Sequence, residues 1–234
     1  MKDIKIEEVQ GLLDNGKDPE EIFDWMGGFT DSDDLTIVVL NSKRNYFNLS
    51  AKKLMFPNQW FDFCSDIIRG FGIIELNNKQ NYVDKNCKLI SPDQWFDYCD
   101  YFEDGFGIVI LNGKYNYVGS NGKIASPNQW FDRCRMFKDG LGVVELNGKQ
   151  NYIKPDGKLL SEQWFDECED CRNGFGIITL KDKINIIKSD GNLVSDVWFD
   201  YAYTPQDGFY NILFGWFPYC LDKNGKLTKR DINF

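Results

Sequence analysis

Short apolar runs interrupted by polar pairs recur along the chain, and their spacing predicts β-hairpins. In "GFGIIELNNKQNYVD" two runs of strand-favouring residues flank Asn77-Asn78. Other copies carry equivalent pairs, namely Asn41-Ser42, Asn112-Gly113, Asn147-Gly148 and Lys181-Asp182. Asn-Gly in such a place favours a type I′ turn, because both central residues need a positive φ. In the last copy we expect Gly215-Trp216 to form a type II′ turn, with glycine first.

Each hairpin belongs to a longer repeat of about 35 residues. "WFD" begins at Trp60, Trp95, Trp130, Trp164 and Trp198, and a glycine follows each tryptophan ten residues later. A degenerate copy comes first, in which "IFDW" at Ile22 to Trp25 stands in for "WFD". The predicted boundaries are 22–59 for degenerate repeat 1, then 60–94, 95–129, 130–163 and 164–197 for repeats 2 to 5, and 198–234 for repeat 6 with a C-terminal cap.

The first strand of each hairpin is apolar on both faces over half its length. One face carries Ile74, Val109, Val144 and Ile178, and the opposite face carries Phe71, Phe106, Leu141 and Phe175. A lone hairpin cannot bury both faces. Each repeat is therefore expected to supply the surface that covers its neighbour.

The start of the chain predicts a different structure. Residues 1–26 are read as a helical N-terminal cap, because Asp18 followed by Pro19 is typical of a helix start. The predicted fold is one all-β domain of six hairpin-containing repeats, stacked as an open superhelix with this short α-helical cap. A closed six-bladed β-propeller is the alternative, and the atypical ends favour the open stack.

Cysteine usage indicates packing rather than metal binding or disulfides. Four of the seven cysteines, Cys64, Cys99, Cys134 and Cys168, share one repeat position, which Ala202 occupies in the last repeat. A position that accepts cysteine or alanine is typical of a small buried site. The chain has no histidine, and clustered cysteine or histidine ligands are needed for zinc. We expect reduced thiols, no metal site and no cofactor.

Charge and hydropathy narrow the choice of partners. The net charge is −9 with a pI near 4.7, which argues against nucleic acid, since phosphates require cationic partners. No apolar stretch is long enough to span a membrane, and the charged start "MKDIKIEEVQ" lacks the apolar core of a secretory signal. These features predict a cytoplasmic protein.

The repeats also resemble a known family. "GFGIVILNGKYNYVGSNGKI" and "GLGVVELNGKQNYIKPDGKL" are similar to the WG-repeat proteins of bacteria and their phages, over roughly residues 22–228. The Trp-Gly dipeptide itself is replaced by Gln80-Asn81, Tyr115-Asn116, Gln150-Asn151 and Ile184-Asn185. The resemblance implies an all-β repeat array, a binding role, and a location in a bacterial cell or, for a phage protein, in its host's cytoplasm. It supplies no catalytic residues.

Several sets of side chains are candidates for binding. Repeat positions that vary between copies are expected to carry specificity, and they include Arg44, Gln80, Tyr115 and Gln150. A first lysine column, which comprises Lys43, Lys79, Lys114, Lys149 and Lys183, is either an anion-binding edge or a solvent-exposed row. The C-terminal aromatics Trp216, Phe217 and Tyr219 either cap the array or form an interface.

The tryptophan and the aspartate of "WFD" could each have either a structural role or a binding role. The tryptophans of "WFD" are expected in the core rather than as sugar-stacking platforms. The aspartates of "WFD" are expected to accept hydrogen bonds from local backbone N–H groups rather than to hold calcium, which needs six to eight oxygens in one site.

The sequence predicts no enzyme, because no nucleotide loop, dinucleotide fingerprint or nucleophile elbow is present. The leading hypothesis is a non-enzymatic module that binds another protein. The alternative is capture of a glycan or a small anionic molecule between repeats. Exposed stacked aromatics would favour the glycan, and a lysine edge facing a groove would favour the anion.

Overall fold

The structure is a computed structural model that describes residues 4–28, 30–31, 34–203, 210–214, 217–222 and 226–229. The chain folds as two compact units. The first comprises residues 1–102, 107–113 and 120–123, and the second comprises 103–106, 114–119 and 124–234.

The N-terminal segment is helical, as predicted, but ends earlier than expected. A 3-10 turn at Ile6–Glu8 leads into α1 (Val9–Asp14), and α2 spans Pro19–Ile22. The Asp18 side chain accepts a hydrogen bond from the backbone N–H of Glu20, which is the predicted N-cap. The chain then enters a strand, β1 (Trp25–Gly27), that belongs to the sheet of repeat 1.

Twenty described strands form six small sheets, one for each predicted repeat. The first two sheets contain β1, β2 (Leu35–Leu40), β3 (Lys43–Asn48) and β4 (Lys53–Leu54), then β5 (Phe63–Cys64), β6 (Phe71–Leu76) and β7 (Lys79–Asp84). The third and fourth contain β8 (Tyr98–Glu103), β9 (Phe106–Leu111) and β10 (Lys114–Gly119), then β11 (Arg133–Cys134), β12 (Gly142–Leu146) and β13 (Lys149–Ile153).

The fifth sheet contains β14 (Glu167–Cys168), β15 (Phe175–Leu180) and β16 (Lys183–Lys188). The sixth contains β17 (Tyr201–Tyr203), β18 (Tyr210–Phe214), β19 (Phe217–Leu221) and β20 (Leu227–Lys229). The strand pairs are antiparallel, for example Ile74 opposite Asn81. In repeats 2 to 5 a single bridge, such as Ile153 to Leu159, takes the place of the fourth strand.

The hairpin turns have the geometry that the sequence predicts. Asn77 and Asn78 have φ of 52° and 59°, and Asn147 and Gly148 have φ of 53° and 72°. Positive φ at both central residues is the mark of a type I′ turn. Gly215 and Trp216 lie outside the described residues.

The predicted core face is buried. Ile74, Val109, Val144 and Ile178 have no exposed surface. The cysteine column is buried as well, from Cys168 at 0% to Cys134 at 7% exposure, and Ala202 is buried in its place. Burying one of these valine or isoleucine side chains contributes about 1.5–3 kcal/mol to the free energy of folding. The repeated apolar positions therefore account for much of the stability.

Consecutive repeats are joined through their backbones. The residue before the buried asparagine of one repeat exchanges two hydrogen bonds with the phenylalanine of the next "WFD", as in Gln150 with Phe165 at 2.9 Å each way. The same bridge links Arg44 to Phe61 and Gln80 to Phe96. Each phenylalanine of this set is buried, so a polar ladder and an apolar contact hold the same junction.

The second turn brings two backbones close together. Gly157 has φ of +79°, and a Cβ on it would lie 2.7 Å from the carbonyl carbon of Ala125 in the preceding repeat. Gly122 approaches Ile90 in the same way. Glycine is therefore required here both for its conformation and for its small size.

The all-β repeat fold with a short helical N-terminal segment is confirmed. No sheet among the described residues closes into a barrel. The choice between an open stack and a six-bladed propeller, the repeat boundaries and the single domain stay predictions.

Candidate binding surface

One line of residues crosses each sheet at the same register and presents its side chains on the same face. In repeat 2 it runs from Phe63 to Glu75 and Gln80, and in repeat 4 from Arg133 to Glu145 and Gln150. In repeat 1 it runs from Trp25 to Val39 and Arg44. We call this line the register row, and it contains three of the four variable positions named from the sequence.

Gln80 and Gln150 hold neighbouring repeats together. The Gln80 side chain accepts a hydrogen bond from the Cys99 backbone at 2.8 Å and donates to Glu75 at 2.9 Å. Gln150 accepts from the Cys168 backbone and from Arg135, and donates to Glu145. Their hydrogen-bonding groups are occupied within the chain, so their role in the structure is to brace the junction.

Arg44 stands at the same repeat position but lacks these partners. Its cross-strand neighbour is Val39, where repeats 2 and 4 have glutamate. The guanidinium lies 4.9 Å from the centroid of the Phe63 ring, and its Nη1 donates to the Cys64 carbonyl at 3.4 Å. Among the described residues no carboxylate comes within ion-pair distance of Arg44.

Arg44 lines a groove whose rim is aromatic. The groove encloses about 320 Å³ and is lined by Trp25, Gly28, Ile37, Arg44, Phe63, Cys64, Ser65, Asp66, Ile68 and Tyr101. Four of these are large apolar side chains in water, with exposures of 51% for Trp25, 39% for Phe63, 46% for Ile68 and 64% for Tyr101. We call it the aromatic groove, and it lies wholly within the first compact unit.

The Trp25 ring is held in position by its own strand. It lies over Gly27, where a Cβ would come 2.9 Å from Cη2 of the ring. A contact below 3.0 Å forces a rearrangement, so a glycine is needed to leave room for the ring. An alanine at position 27 would therefore displace the Trp25 ring.

A second cleft lies at the equivalent place in repeats 4 and 5. It encloses about 330 Å³ and is lined by Arg133, Cys134, Arg135, Val143, Glu145, Gln150 and Glu167. Arg135 donates to the Cys168 carbonyl and to Gln150, and it forms an ion pair with Asp170 at 3.4 Å. Here the register row is polar, and the neighbouring Arg135 is paired within the chain.

The first lysine column is paired with carboxylates. Lys43, Lys79, Lys114, Lys149 and Lys183 each form an ion pair with the aspartate of the next "WFD", which is Asp62, Asp97, Asp132, Asp166 or Asp200. Lysine hydrogen bonding is the main reason that the pKa of Asp97 lies below its usual value. These pairs compensate the positive charge, so Lys79, Lys114 and Lys149 do not form an unpaired cationic edge.

The same aspartates cap the hairpin turns, as the sequence predicts. The Asp132 carboxylate accepts a hydrogen bond from the backbone N–H of Asn147 at 2.7 Å, and Asp62 accepts one from Asn77 at 2.8 Å. Asp24 of "IFDW" accepts from Asn41 in the same manner, which supports the reading of repeat 1 as a degenerate copy. One carboxylate thus links a turn to a lysine of the preceding repeat.

The tryptophans of "WFD" are partly in the core. Trp60 is buried, and Trp95 and Trp198 are half-buried against the apolar clusters of their junctions. The phenylalanine that follows each tryptophan is buried almost completely. Among the described residues of the first unit, the exposed aromatics are instead Trp25, Phe63, Tyr98 and Tyr101.

The other aromatic residues named from the sequence differ in their exposure to solvent. Tyr115 is half-buried, and its backbone bridges to Phe131. Phe217 is 51% exposed with the Lys229 ammonium 4.0 Å from its ring centroid, whereas Tyr219 packs against the buried cluster of repeat 6. Trp216 lies outside the described residues.

Two repeated residues have structural roles that the sequence alone did not reveal: a tyrosine that joins neighbouring repeats and an asparagine that fixes the last segment of its own repeat. Tyr152 is buried, and its hydroxyl donates to the carbonyls of Glu169 at 2.5 Å and Ile177 at 3.1 Å in the next repeat. The neighbouring Asn151 is buried and donates to the carbonyls of Ser161 and Gln163. Their recurrence as "NY" in four repeats was the available signal.

The seven cysteines are thiols rather than disulfides, and all but one are buried. Cys64, Cys87, Cys99, Cys134, Cys168 and Cys171 are buried, and Cys220 is half-buried. Burial raises the pKa of Cys171 to about 11 and that of Cys87 to about 12. Such thiols stay protonated near neutral pH and are poor nucleophiles.

Part of the chain is similar to a known repeat family. The family model for the WG containing repeat matches residues 96–115 and 117–149. Over these residues the chain is similar to the WG containing repeat. At Gln150-Asn151, where the resemblance places the family's Trp-Gly, the asparagine is buried and forms the hydrogen bonds described above. No curated protein matches the chain.

Solved structures that align with the chain have little sequence in common with it. Hsv2 of Kluyveromyces lactis is 12% identical, with 85% of this chain and 75% of that chain covered and a TM-score of 0.36. AztD of Citrobacter koseri is 9% identical, covering 87% and 71%, with a TM-score of 0.39. The WD40 domain of Neurospora crassa Pan2 is 9% identical, covering 87% and 78%, with a TM-score of 0.31.

The described residues contain neither a membrane-spanning helix nor a metal-binding cluster. No helix there has the length and apolar character needed to cross a bilayer. No group of three or more cysteine, aspartate or glutamate side chains comes together there in a way that would hold a metal ion.

Proposed function

We propose that this WG-repeat-like chain is a non-enzymatic module that binds another protein through the aromatic groove. The observation that carries the proposal is the gathering of Trp25, Phe63, Ile68 and Tyr101 around one concavity, each more than a third exposed. Solvent-exposed apolar side chains are individually common, but a contiguous set is typical of an interaction surface.

The composition of the groove favours a protein partner. Tryptophan, tyrosine and arginine are the residues most enriched among those that dominate the energy of protein interfaces. Arg44 is already stacked on Phe63, and Trp25 is already held over Gly27. Side chains ordered before binding lose less conformational entropy when the partner arrives.

Affinity capture from the source cells with two matched variants tests the proposal. The double variant Trp25→Ala/Tyr101→Ala removes two exposed groove aromatics. The control Tyr98→Ala/Tyr201→Ala removes two aromatics that are 47% and 50% exposed and lie outside the groove lining. We expect proteins retained by the wild type and by the control to be lost from the groove variant.

A third variant moves a groove residue without removing it. Gly27→Ala displaces the Trp25 ring and should weaken capture of the same proteins. Circular dichroism and thermal denaturation establish that each variant is folded. Equal capture by the wild type and both groove variants would count against the proposal.

A second candidate function is capture of a small molecule between repeats. It is supported by the two clefts of about 320 and 330 Å³ at equivalent junctions, a size at the lower end of small-molecule sites. The lysines of the first column are ion-paired with aspartates, which argues against a small anionic ligand. The exposed aromatic side chains favour a glycan. Native mass spectrometry of protein from its source cells would reveal a retained small mass, and a bare monomer would argue against it.

A further inference from the structure

Arg44 differs from its repeat equivalents in a way that points to a ligand group. At this position Gln80 and Gln150 are held by a cross-strand glutamate and by a backbone N–H of the next repeat. Repeat 1 has changed both members of the cross-strand pair, to Val39 and Arg44. The change replaces a satisfied neutral amide with a cation and removes the carboxylate that would face it.

The guanidinium is also fixed in place. It is half-buried and stacked on Phe63, and its described hydrogen bonding is the 3.4 Å contact to the Cys64 carbonyl. A guanidinium presents five N–H donors in a rigid fork that matches a carboxylate. Most of these donors have no acceptor within the described part of the chain.

The other side chains of the groove define what accompanies such a carboxylate. Trp25, Phe63, Ile68 and Tyr101 offer apolar surface around Arg44. Asp66 also lines the groove, and it disfavours a ligand with a large negative charge such as a phosphate. A single carboxylate next to an apolar side chain fits this combination of one unpaired cation and several exposed rings.

We propose that the aromatic groove recognises a segment of a partner protein in which an aspartate or glutamate lies beside an apolar residue, with Arg44 binding the carboxylate. This inference rests on the proposed function and specifies the chemistry of the partner. It also gives Arg44 a role separate from the aromatic residues, because the arginine sets the preference for acid whereas the rings supply general affinity.

Selection of a random 12-residue peptide-display library on immobilised protein tests the inference. The wild type is expected to enrich peptides in which Asp or Glu is adjacent to an apolar residue. Arg44→Gln places at this position the residue that repeats 2 and 4 already have there, so the fold is expected to tolerate it. Arg133 is exposed and lies outside the groove. Arg133→Gln removes the same single positive charge and is therefore the control.

Selected peptides are then synthesised with the acid and with its amide counterpart. We expect the acid form to bind wild type at least tenfold more tightly than the amide form, as for a charge-assisted hydrogen bond. Arg44→Gln should remove this difference and leave binding of the amide form unchanged, whereas Arg133→Gln should preserve the difference.

The outcomes separate this inference from the function on which it rests. Enrichment of apolar peptides without acid preference, or an acid preference that survives Arg44→Gln, overturns the role of Arg44 and leaves protein binding standing. Enrichment of no peptide at all counts against both. Weakening of both peptide forms by Arg44→Gln shows a general structural effect and also overturns the specific role.

Discussion

A buried tyrosine from one repeat lies against a glycine of the next, and this contact predicts a measurable coupling. A Cβ added to Gly176 would meet three atoms of Tyr152 first, with Cε2 at 2.8 Å and Oη and Cζ nearer still. The ring cannot move freely, because its hydroxyl donates to Glu169 and Ile177. Between repeats 5 and 6 the equivalent positions are occupied by Ile186 and Tyr210, so the chain itself reverses the sizes.

Each single substitution should be costly. Gly176→Ala overpacks the junction, at about 1–3 kcal/mol, and displaces a hydroxyl whose single hydrogen, shared between two carbonyls, contributes about 1 kcal/mol. We therefore expect a loss of roughly 3 kcal/mol, the sum of these two effects. Tyr152→Ile removes the hydroxyl and part of the ring and should cost about 2–4 kcal/mol, as for other large-to-small core changes.

The double variant Tyr152→Ile/Gly176→Ala should be less damaging than the sum of the two. The smaller side chain leaves the space that the new methyl group fills, so the interaction energy between the substitutions should be about 1–3 kcal/mol in favour of the double variant. At mid-range values the double variant should be about 2 kcal/mol more stable than the additive sum of the two single substitutions.

Thermal denaturation of the wild type, the two single variants and the double variant measures this coupling. Circular dichroism or tryptophan fluorescence monitors the unfolding. For a chain of this size 1 kcal/mol corresponds to roughly 2–4 °C in Tm, so Gly176→Ala should melt about 6–12 °C below wild type. Strict additivity of the two changes would refute the argument that this ring and this glycine determine each other's size.

Three further predictions concern other features of the repeats. Gly157→Ala, which adds a backbone clash to an unfavourable φ, should cost about 2–5 kcal/mol, and Gly148→Ala, with a similar φ and open space, about 1–2 kcal/mol. Pairing with Lys149 lowers the pKa of Asp166 in the folded state, so its contribution to stability is present above the usual value of 3.8 and is lost as pH falls below it. Between about pH 5 and pH 2 the urea concentration at the unfolding midpoint should therefore decrease less steeply in Asp166→Asn than in the wild type. In native protein Ellman's reagent should react rapidly with Cys220 alone among the seven cysteines, and with all of them in guanidinium.

Each of these has an outcome that contradicts it. Equal destabilisation by the two glycine substitutions would mean that the close approach to Ala125 is unimportant. An unchanged pH profile in Asp166→Asn would show that its ion pair does not distinguish folded from unfolded protein. Rapid native reaction of several thiols would be inconsistent with a buried cysteine column.

Features that depend on neighbouring residues in the sequence were predictable. The positive φ at Asn147 and Gly148 follows from the turn preference of Asn-Gly, and the N-cap at Asp18 follows from its position before Pro19. Burial of Ile74 and its equivalents follows from alternation along a strand. In each case one local rule determines the result.

Features that depend on contact between repeats were not predictable. The lysine column has an exposed and an anion-binding interpretation from sequence, and only the fold places Lys79 next to Asp97. Likewise, Gln80 and Arg44 occupy the same repeat position. Only their surroundings in the fold show that Gln80 joins two repeats, whereas Arg44 is a candidate ligand-binding group. The partner residue in each case comes from another strand or another repeat, at a distance that periodicity alone does not specify.

The division of each interlocking pair between two repeats has a consequence for how such chains change in length. The tyrosine lies in one copy and its glycine in the next, and the same holds for the lysine and its aspartate. A duplication or deletion of one full period within repeats 2 to 4 regenerates complete pairs at the new junction. The number of copies can therefore change in one genetic event without leaving a buried hydroxyl or a charge unmatched, and surface specialisation such as that of Arg44 can follow afterwards.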